Sequence, residues 1–148
     1  MGCQVRQATA DDIPACAEMG RRFFDESGFS AETSFDPLSF EVTLRQLIAS
    51  KDGVVLVADG GMVGGLAYPF YFNANSKTAQ EMFWWVSPEY RGTNLGMLLI
   101  DGFERWARSK GCETLSMICL PALRESPAER VYQRRGYRAS ERVYIKRL

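Results

Sequence analysis

Histidine is absent from all 148 residues. That excludes Ser-His-Asp and Cys-His machinery and the common His-containing zinc sites. Any proton transfer must fall to Glu, Asp, Tyr, Cys, Lys or bound water. Neither sign of charge is in surplus, because 18 Lys and Arg balance 18 Asp and Glu. A nucleic-acid binder needs a basic excess to displace counterions, so no nucleic-acid partner is expected. No apolar run approaches the roughly 20 residues that cross a bilayer, and no signal-peptide pattern opens the sequence. The start, MGCQVR, has Arg6 where a myristoylation site wants Ser or Thr, so no membrane anchor is read there. The cysteines Cys3, Cys16, Cys112 and Cys119 form no CxxC pair. They read as small apolar residues in a reducing, cytoplasmic setting, and no metal site is expected.

What is present describes one globular domain spanning 1–148, with 46% apolar and 12% aromatic residues. Residues 3–9 alternate like a strand. Thr9 and Asp12 then cap an amphipathic segment running to Gly28, with Pro14 in its first turn. A second helix is expected over 37–50, with Leu38, Val42, Leu44, Leu47 and Ile48 as its apolar stripe. Residues 54–72 read as a β-hairpin turning at Gly60-Gly61, and 79–86 as a further strand. A helix over 95–111 ends on Gly111. A strand at 113–120, a helix at 126–136 and a closing strand at 137–148 complete the chain. The result is a mixed α/β sheet with flanking helices, antiparallel early and parallel where helices separate strands.

The most informative stretch is VSPEYRGTNLGMLL, residues 86–99. It joins a strand to a helix N-terminus, where free N–H groups and the helix dipole favour a phosphate. Glycine lets the backbone come close, and Arg91 can add a cation. It is not a P-loop, because Met97 follows Gly96, and it lacks the three glycines of the dinucleotide fingerprint. Taken alone, RGTNLG could equally be a helix-start turn with an incidental arginine.

The arrangement V-x-P-x-x-R-G-x-x-x-G, followed by an amphipathic helix and, later, AERVYQRRGY, resembles the GNAT superfamily of acyl-CoA-dependent N-acyltransferases. The resemblance covers nearly the whole chain and implies that family's mostly antiparallel fold. It further implies that acetyl-CoA is co-substrate and that Arg91, Gly92, Thr93, Asn94, Leu95, Gly96 and Met97 hold its pyrophosphate. Val86 and Ser87 would meet the pantetheine arm like an added strand, with the Val86 N–H polarising the thioester carbonyl. Asn94 departs from the pattern, standing where the first of two glycines is usual; Asn tolerates left-handed φ better than other side chains.

By the same resemblance, Tyr132 is the acid that protonates the departing thiolate. The alternative is a tyrosine that packs under the last strand with its hydroxyl satisfied locally. Glu81 is the candidate base, acting on the amine through water, against the alternative of an ordinary solvent-facing strand glutamate. Glu141 is a weaker candidate. Trp84 and Trp85, being adjacent, point to opposite sheet faces, one under a helix and one toward an acceptor pocket, with core packing as the alternative for each. Glu125 stands near a family asparagine that contacts the cofactor arm and is given no role; Ser126 beside it can cap a helix. The acceptor is expected to be a primary amine, on a small molecule or a protein. Glu26, Phe29, Glu32, Phe35 and Asp36 are candidates to shape its choice. A non-catalytic acyl-CoA-binding module is the alternative function, and the closing strand and hairpin are compatible with a homodimer.

Overall fold

The computed structural model describes residues 4–120 and 127–148. A short strand β1 (Arg6–Gln7) leads into α1 (Ile13–Ser27) and α2 (Pro37–Ala49), then β2 (Gly53–Ala58), β3 (Gly61–Phe70) and β4 (Asn73–Val86). Helix α3 (Leu95–Ser109), strand β5 (Cys112–Ser116) and helix α4 (Pro127–Arg134) follow. The sheet order is β1-β2-β3-β4-β5, antiparallel except for the parallel β4–β5 pair that α3 connects. The mixed, mostly antiparallel sheet expected from the sequence is therefore present.

Helices cover both faces of the sheet. Ile13, Cys16, Leu44, Leu47, Phe83 and Trp85 form the core under α1 and α2. Val63, Ala79, Leu95, Leu99, Phe103 and Trp106 form the core under α3. The two first helices cross closely at Gly20, where a Cβ would stand 2.0 Å from the Phe40 ring. Any side chain at this position would force the Phe40 ring out of its place.

Several local expectations are corrected. The hairpin turns one residue early, at Asp59-Gly60, because Ala58 pairs with Gly61, and the β3–β4 hairpin is longer than its apolar pattern suggests. In α2 only Leu44 and Leu47 are buried; Leu38 and Val42 are exposed, and Phe40 enters the core instead. Strand β1 shrinks to two residues and β5 stops at Ser116. Residues 137–148 form no strand. A strand needs a partner edge, and Val143, Tyr144 and Ile145 lie exposed without one among the described residues.

Two irregularities in β4 create the site. Gly64 pairs with Phe83 and Gly65 with Glu81, which leaves Met82 as an extra, bulged residue. A one-residue bulge reverses which face later side chains occupy. Glu81 thus shares the face of Ala79, Trp84 and Val86, while Phe83 and Trp85 turn toward α1. Parallel pairing with β5 ends at Gln80 and Ser116. From Glu81 onward the two strands diverge.

Candidate active site

A cavity of about 470 Å³ opens where β4 and β5 separate. Its walls come from α1 (Phe23, Glu26), Phe29, the end of β4 (Glu81 to Val86, apart from Phe83), the following loop, residues 118–120 and α4 (Ala128, Val131, Tyr132). Trp84 and Trp85 both line it, so both sheet faces contribute at the opening. The Trp84 indole N–H is buried without a hydrogen-bond partner among the described residues, an unusual expense of about 1–3 kcal/mol.

The loop after β4 is held in place by several bonds. Gly92 is left-handed (φ 87), with nothing within 4 Å of the Cβ it lacks. Asn94 has φ −82, an ordinary value. The left-handed residue of this turn is therefore Gly92, and the departure from the family pattern at Asn94 does not strain the backbone. Thr93 Oγ1 donates to the Tyr90 carbonyl at 2.6 Å and accepts from the Leu95 N–H at 3.3 Å. The first backbone bond into the helix runs from the Leu98 N–H to the Asn94 carbonyl, 3.0 Å. Between these lie Gly96 and Met97, both on the cavity wall, with the terminal N–H groups and positive dipole end of α3. Leu95 itself is fully buried in the α3 core.

Val86 and Ser87 part company here. The Ser87 N–H donates to the Gly60 carbonyl at 2.7 Å, so Val86, opposite Gly61, belongs to a non-hydrogen-bonded pair and presents its own N–H to the open side of β4. The Ser87 carbonyl accepts from the Tyr90 N–H at 2.8 Å, and its hydroxyl accepts from Trp85 Nε1 at 3.2 Å. Ser87 is thus buried with its polar groups engaged in the turn and does not reach the cavity, contrary to the sequence reading.

Arg91 lines the cavity and is held by three contacts. Its Nε donates to the Val86 carbonyl at 2.9 Å, its Nη2 pairs with Glu26 at 2.9 Å, and its guanidinium lies 4.9 Å from the Trp85 ring centre. A second ion pair, Arg22–Glu89 at 3.1 Å, also ties α1 to this loop. Of the expected acceptor-region residues, only Glu26 and Phe29 reach the cavity. Phe35 packs between Phe24 and Phe40, Asp36 caps α2 through the Ser39 N–H, and Glu32 does not line the wall.

Glu81 and Tyr132 meet at one residue that sequence reading did not identify. The Glu81 carboxylate, 3% exposed, accepts from the Ile118 N–H at 2.9 Å. The Tyr132 hydroxyl donates to the Ile118 carbonyl at 3.0 Å. Burial raises Glu81 from the usual carboxylate range to about 7, opposed only by the Ile118 bond. Burial also raises the Tyr132 phenol, with the Glu81 charge adding to the effect. Glu81 is therefore not a solvent-facing glutamate. Tyr132 has the local hydroxyl partner that its structural alternative anticipated, but it also faces the cavity. Ile118 acts through its main chain, which no side-chain pattern encodes. Cys119 lines the cavity too, but burial raises its thiol pKa. Glu141 is exposed on the terminal segment, and Glu125 and Ser126 lie outside the described residues.

Among the described residues no group of three His, Cys, Asp or Glu side chains could hold a metal ion. No helix there is long and apolar enough to cross a membrane.

The profile of the Acetyltransferase (GNAT) family matches residues 18–137. Among curated relatives, an aminoglycoside N(6')-acetyltransferase type 1 of Stenotrophomonas maltophilia is 26% identical over 97% of this chain and 92% of its own length. An amino-acid acetyltransferase of Pasteurella multocida is also 26% identical, but the chain spans only 27% of that protein. Among solved structures, the aminoglycoside acetyltransferase AAC(6')-Iy bound to a CoA-linked bisubstrate analog superposes with a TM-score of 0.76 at 19% identity, covering 100% of this chain and 99% of that one. A transcriptional regulator from Bacillus halodurans C-125 superposes at 0.77 and 19% identity, covering 99% and 100%. Identities at this level show a shared fold alone. The family profile, spanning most of the length and both the loop and the Tyr132 helix, shows more: this chain belongs to the GNAT acetyltransferase family.

Proposed function

We propose that this protein transfers the acetyl group of acetyl-CoA to a primary amine by direct attack within a ternary complex. The observation that carries the reading is the convergence of Glu81 and Tyr132 on the two backbone groups of Ile118, in the cavity that the α3 N-terminus also borders. The curated relative that the chain matches almost end to end is named for acetylating an aminoglycoside, which favours a small-molecule amine over a protein acceptor.

In this reading the pyrophosphate sits against the N–H groups of Gly96 and Met97, where Gly92 and Thr93 keep the approach open. Arg91 holds the Val86 carbonyl, leaving the outward Val86 N–H to polarise the thioester carbonyl. Glu81 accepts a proton from the ammonium through water, because its raised pKa brings it near the operating pH. The amine then attacks the carbonyl carbon, the C–S bond breaks, Tyr132 gives its proton to the leaving thiolate, and the proton shed by the new amide nitrogen restores the phenol. For that step the hydroxyl turns from the Ile118 carbonyl toward sulfur.

Turnover of acetyl-CoA with a panel of small amines, comparing wild type with Tyr132→Phe, tests the reading. The expected result is a fall in kcat of about 10²-fold or more for the variant, with acetyl-CoA binding retained. Two proteins equally slow, both binding acetyl-CoA, would leave a binding module instead, and two equally fast would remove Tyr132 as the acid.

A further inference from the structure

We infer that the acceptor is a monoamine carrying an aromatic ring on a short chain, and that Phe29 with Phe23 seats that ring. The inference rests on the proposed reaction and names its substrate class. In that reading the α3 N-terminus and Tyr132 take the cofactor. The wall left for the acceptor comes from α1 and the turn after it, Phe23, Glu26 and Phe29, with Met82 and Trp85 of β4 beside them.

Three of these five residues are aromatic, and they form one cluster. The Phe23 ring meets Trp85 edge-on at 6.0 Å and lies 6.4 Å from Phe29. Trp85 is buried, but Phe29 is 40% exposed and Met82 42%, so apolar surface remains there to be covered. A ring placed beside Phe29 would continue the tilted packing the cluster already has, at the separations of about 4.5–7 Å that aromatic pairs prefer.

The charges around this wall select against a second ammonium. Among the described residues, Glu26 and Glu81 are the only carboxylates lining the cavity. Glu26 is already paired with Arg91 at 2.9 Å, and Glu81 is committed to the reacting amine. Arg22, paired with Glu89 at 3.1 Å, and Arg91 lie 5.9 and 4.9 Å from the Trp85 ring centre. Two guanidiniums thus stand against two carboxylates, and no negative charge is left over for a polyamine. Thr93 Oγ1 is engaged with Tyr90 and Leu95, and no Asn, Gln, Ser or Asp among the described residues lines the cavity. An amino sugar would shed water from many hydroxyls and ammoniums for few partners, which is unfavourable. The acceptor for which the curated relative is named does not suit this wall.

Initial rates with acetyl-CoA and 2-phenylethylamine, propylamine, spermidine or neamine test the inference. The expected kcat/KM for 2-phenylethylamine exceeds that of every other amine about tenfold or more, as filling an apolar pocket gives. In Phe29→Ala the ratio of 2-phenylethylamine to propylamine should fall toward one, through KM and not kcat. Phe29→Leu should restore part of it, and a melting shift with acetyl-CoA verifies that each variant folds. If any of the other three amines is turned over as well as 2-phenylethylamine, or the ring preference is unmoved in Phe29→Ala, the inference is overturned and the reaction stands. If no amine is turned over while acetyl-CoA binds, the reaction is removed and the inference with it.

Discussion

A carboxylate placed where water cannot solvate it resists ionisation, and Glu81 is such a group. Its pKa rises from the usual 4.5 to about 7, burial being the larger cause. The sign for stability follows directly. The folded state holds the Glu81 proton more tightly than the unfolded chain, so stability declines as pH climbs from the unfolded carboxylate value to about 7, then levels off. Glu81→Gln keeps an acceptor for the Ile118 N–H and removes the charge. It should melt above wild type near about pH 8, by up to about 3 kcal/mol at 1.36 kcal/mol per pKa unit, and match it near about pH 5. In turnover, kcat/KM of the wild type should rise about tenfold per pH unit below about 7 and then flatten, and the variant should lose that limb. A wild-type rate that ignores pH across this range would remove Glu81 as the base. The residue's place on a strand before the loop was legible in the sequence. Its burial was not, because the bulge at Met82 reverses side-chain parity, and no local pattern marks where a bulge falls. Tyr132 was legible from its spacing to Gly136, whereas its partner, a main-chain carbonyl, has no sequence signature.

At the scale of elements, the junction of β4 and α3 sets the geometry. Its turn depends on Gly92 at φ 87, a conformation that costs other residues about 1–2 kcal/mol. Gly92→Ala should therefore lower stability by about that amount. It should also weaken acetyl-CoA up to about tenfold, as the loop relaxes away from its present shape. Asn94→Gly is the informative companion. At φ −82 the asparagine is unstrained, so restoring the family glycine should leave affinity within about twofold, less than the 1.4 kcal/mol that a tenfold change represents. Isothermal titration of both variants with acetyl-CoA would decide, and a large gain for Asn94→Gly would mean that its side chain, not its backbone, obstructs the phosphates. Elements with an internal logic were readable: α1 by its cap and periodicity, α3 by its apolar stripe and Gly111, the β2–β3 hairpin by its glycines. The closing strand had no such logic: Val143, Tyr144 and Ile145 are residues that suit a strand, but the partner edge is supplied by tertiary structure.

For the whole molecule, the cavity lies along the seam where β4 and β5 part. Between Gln80–Ser116 and the α3 terminus, β4 and β5 share no ladder, and contact across the gap runs through Ile118, Tyr132 and the Trp84–Tyr132 ring pair, centres 5.8 Å apart. A ligand that fills this gap should bind the folded chain and not the unfolded one, and so raise its melting temperature. Acetyl-CoA at about 100 times its dissociation constant stabilises by roughly 2.7 kcal/mol. At about 2–4 °C per kcal/mol for a domain of this size, that is roughly 5–10 °C. Desulfo-CoA should match acetyl-CoA, because the phosphates and the arm carry the binding, while ATP, which lacks the arm, should shift the melt far less. Equal shifts from ATP and acetyl-CoA would reduce the site to a generic anion pocket at the α3 terminus. No shift from any of them would show that the seam stays closed to the cofactor, and would remove the proposed reaction at its first step.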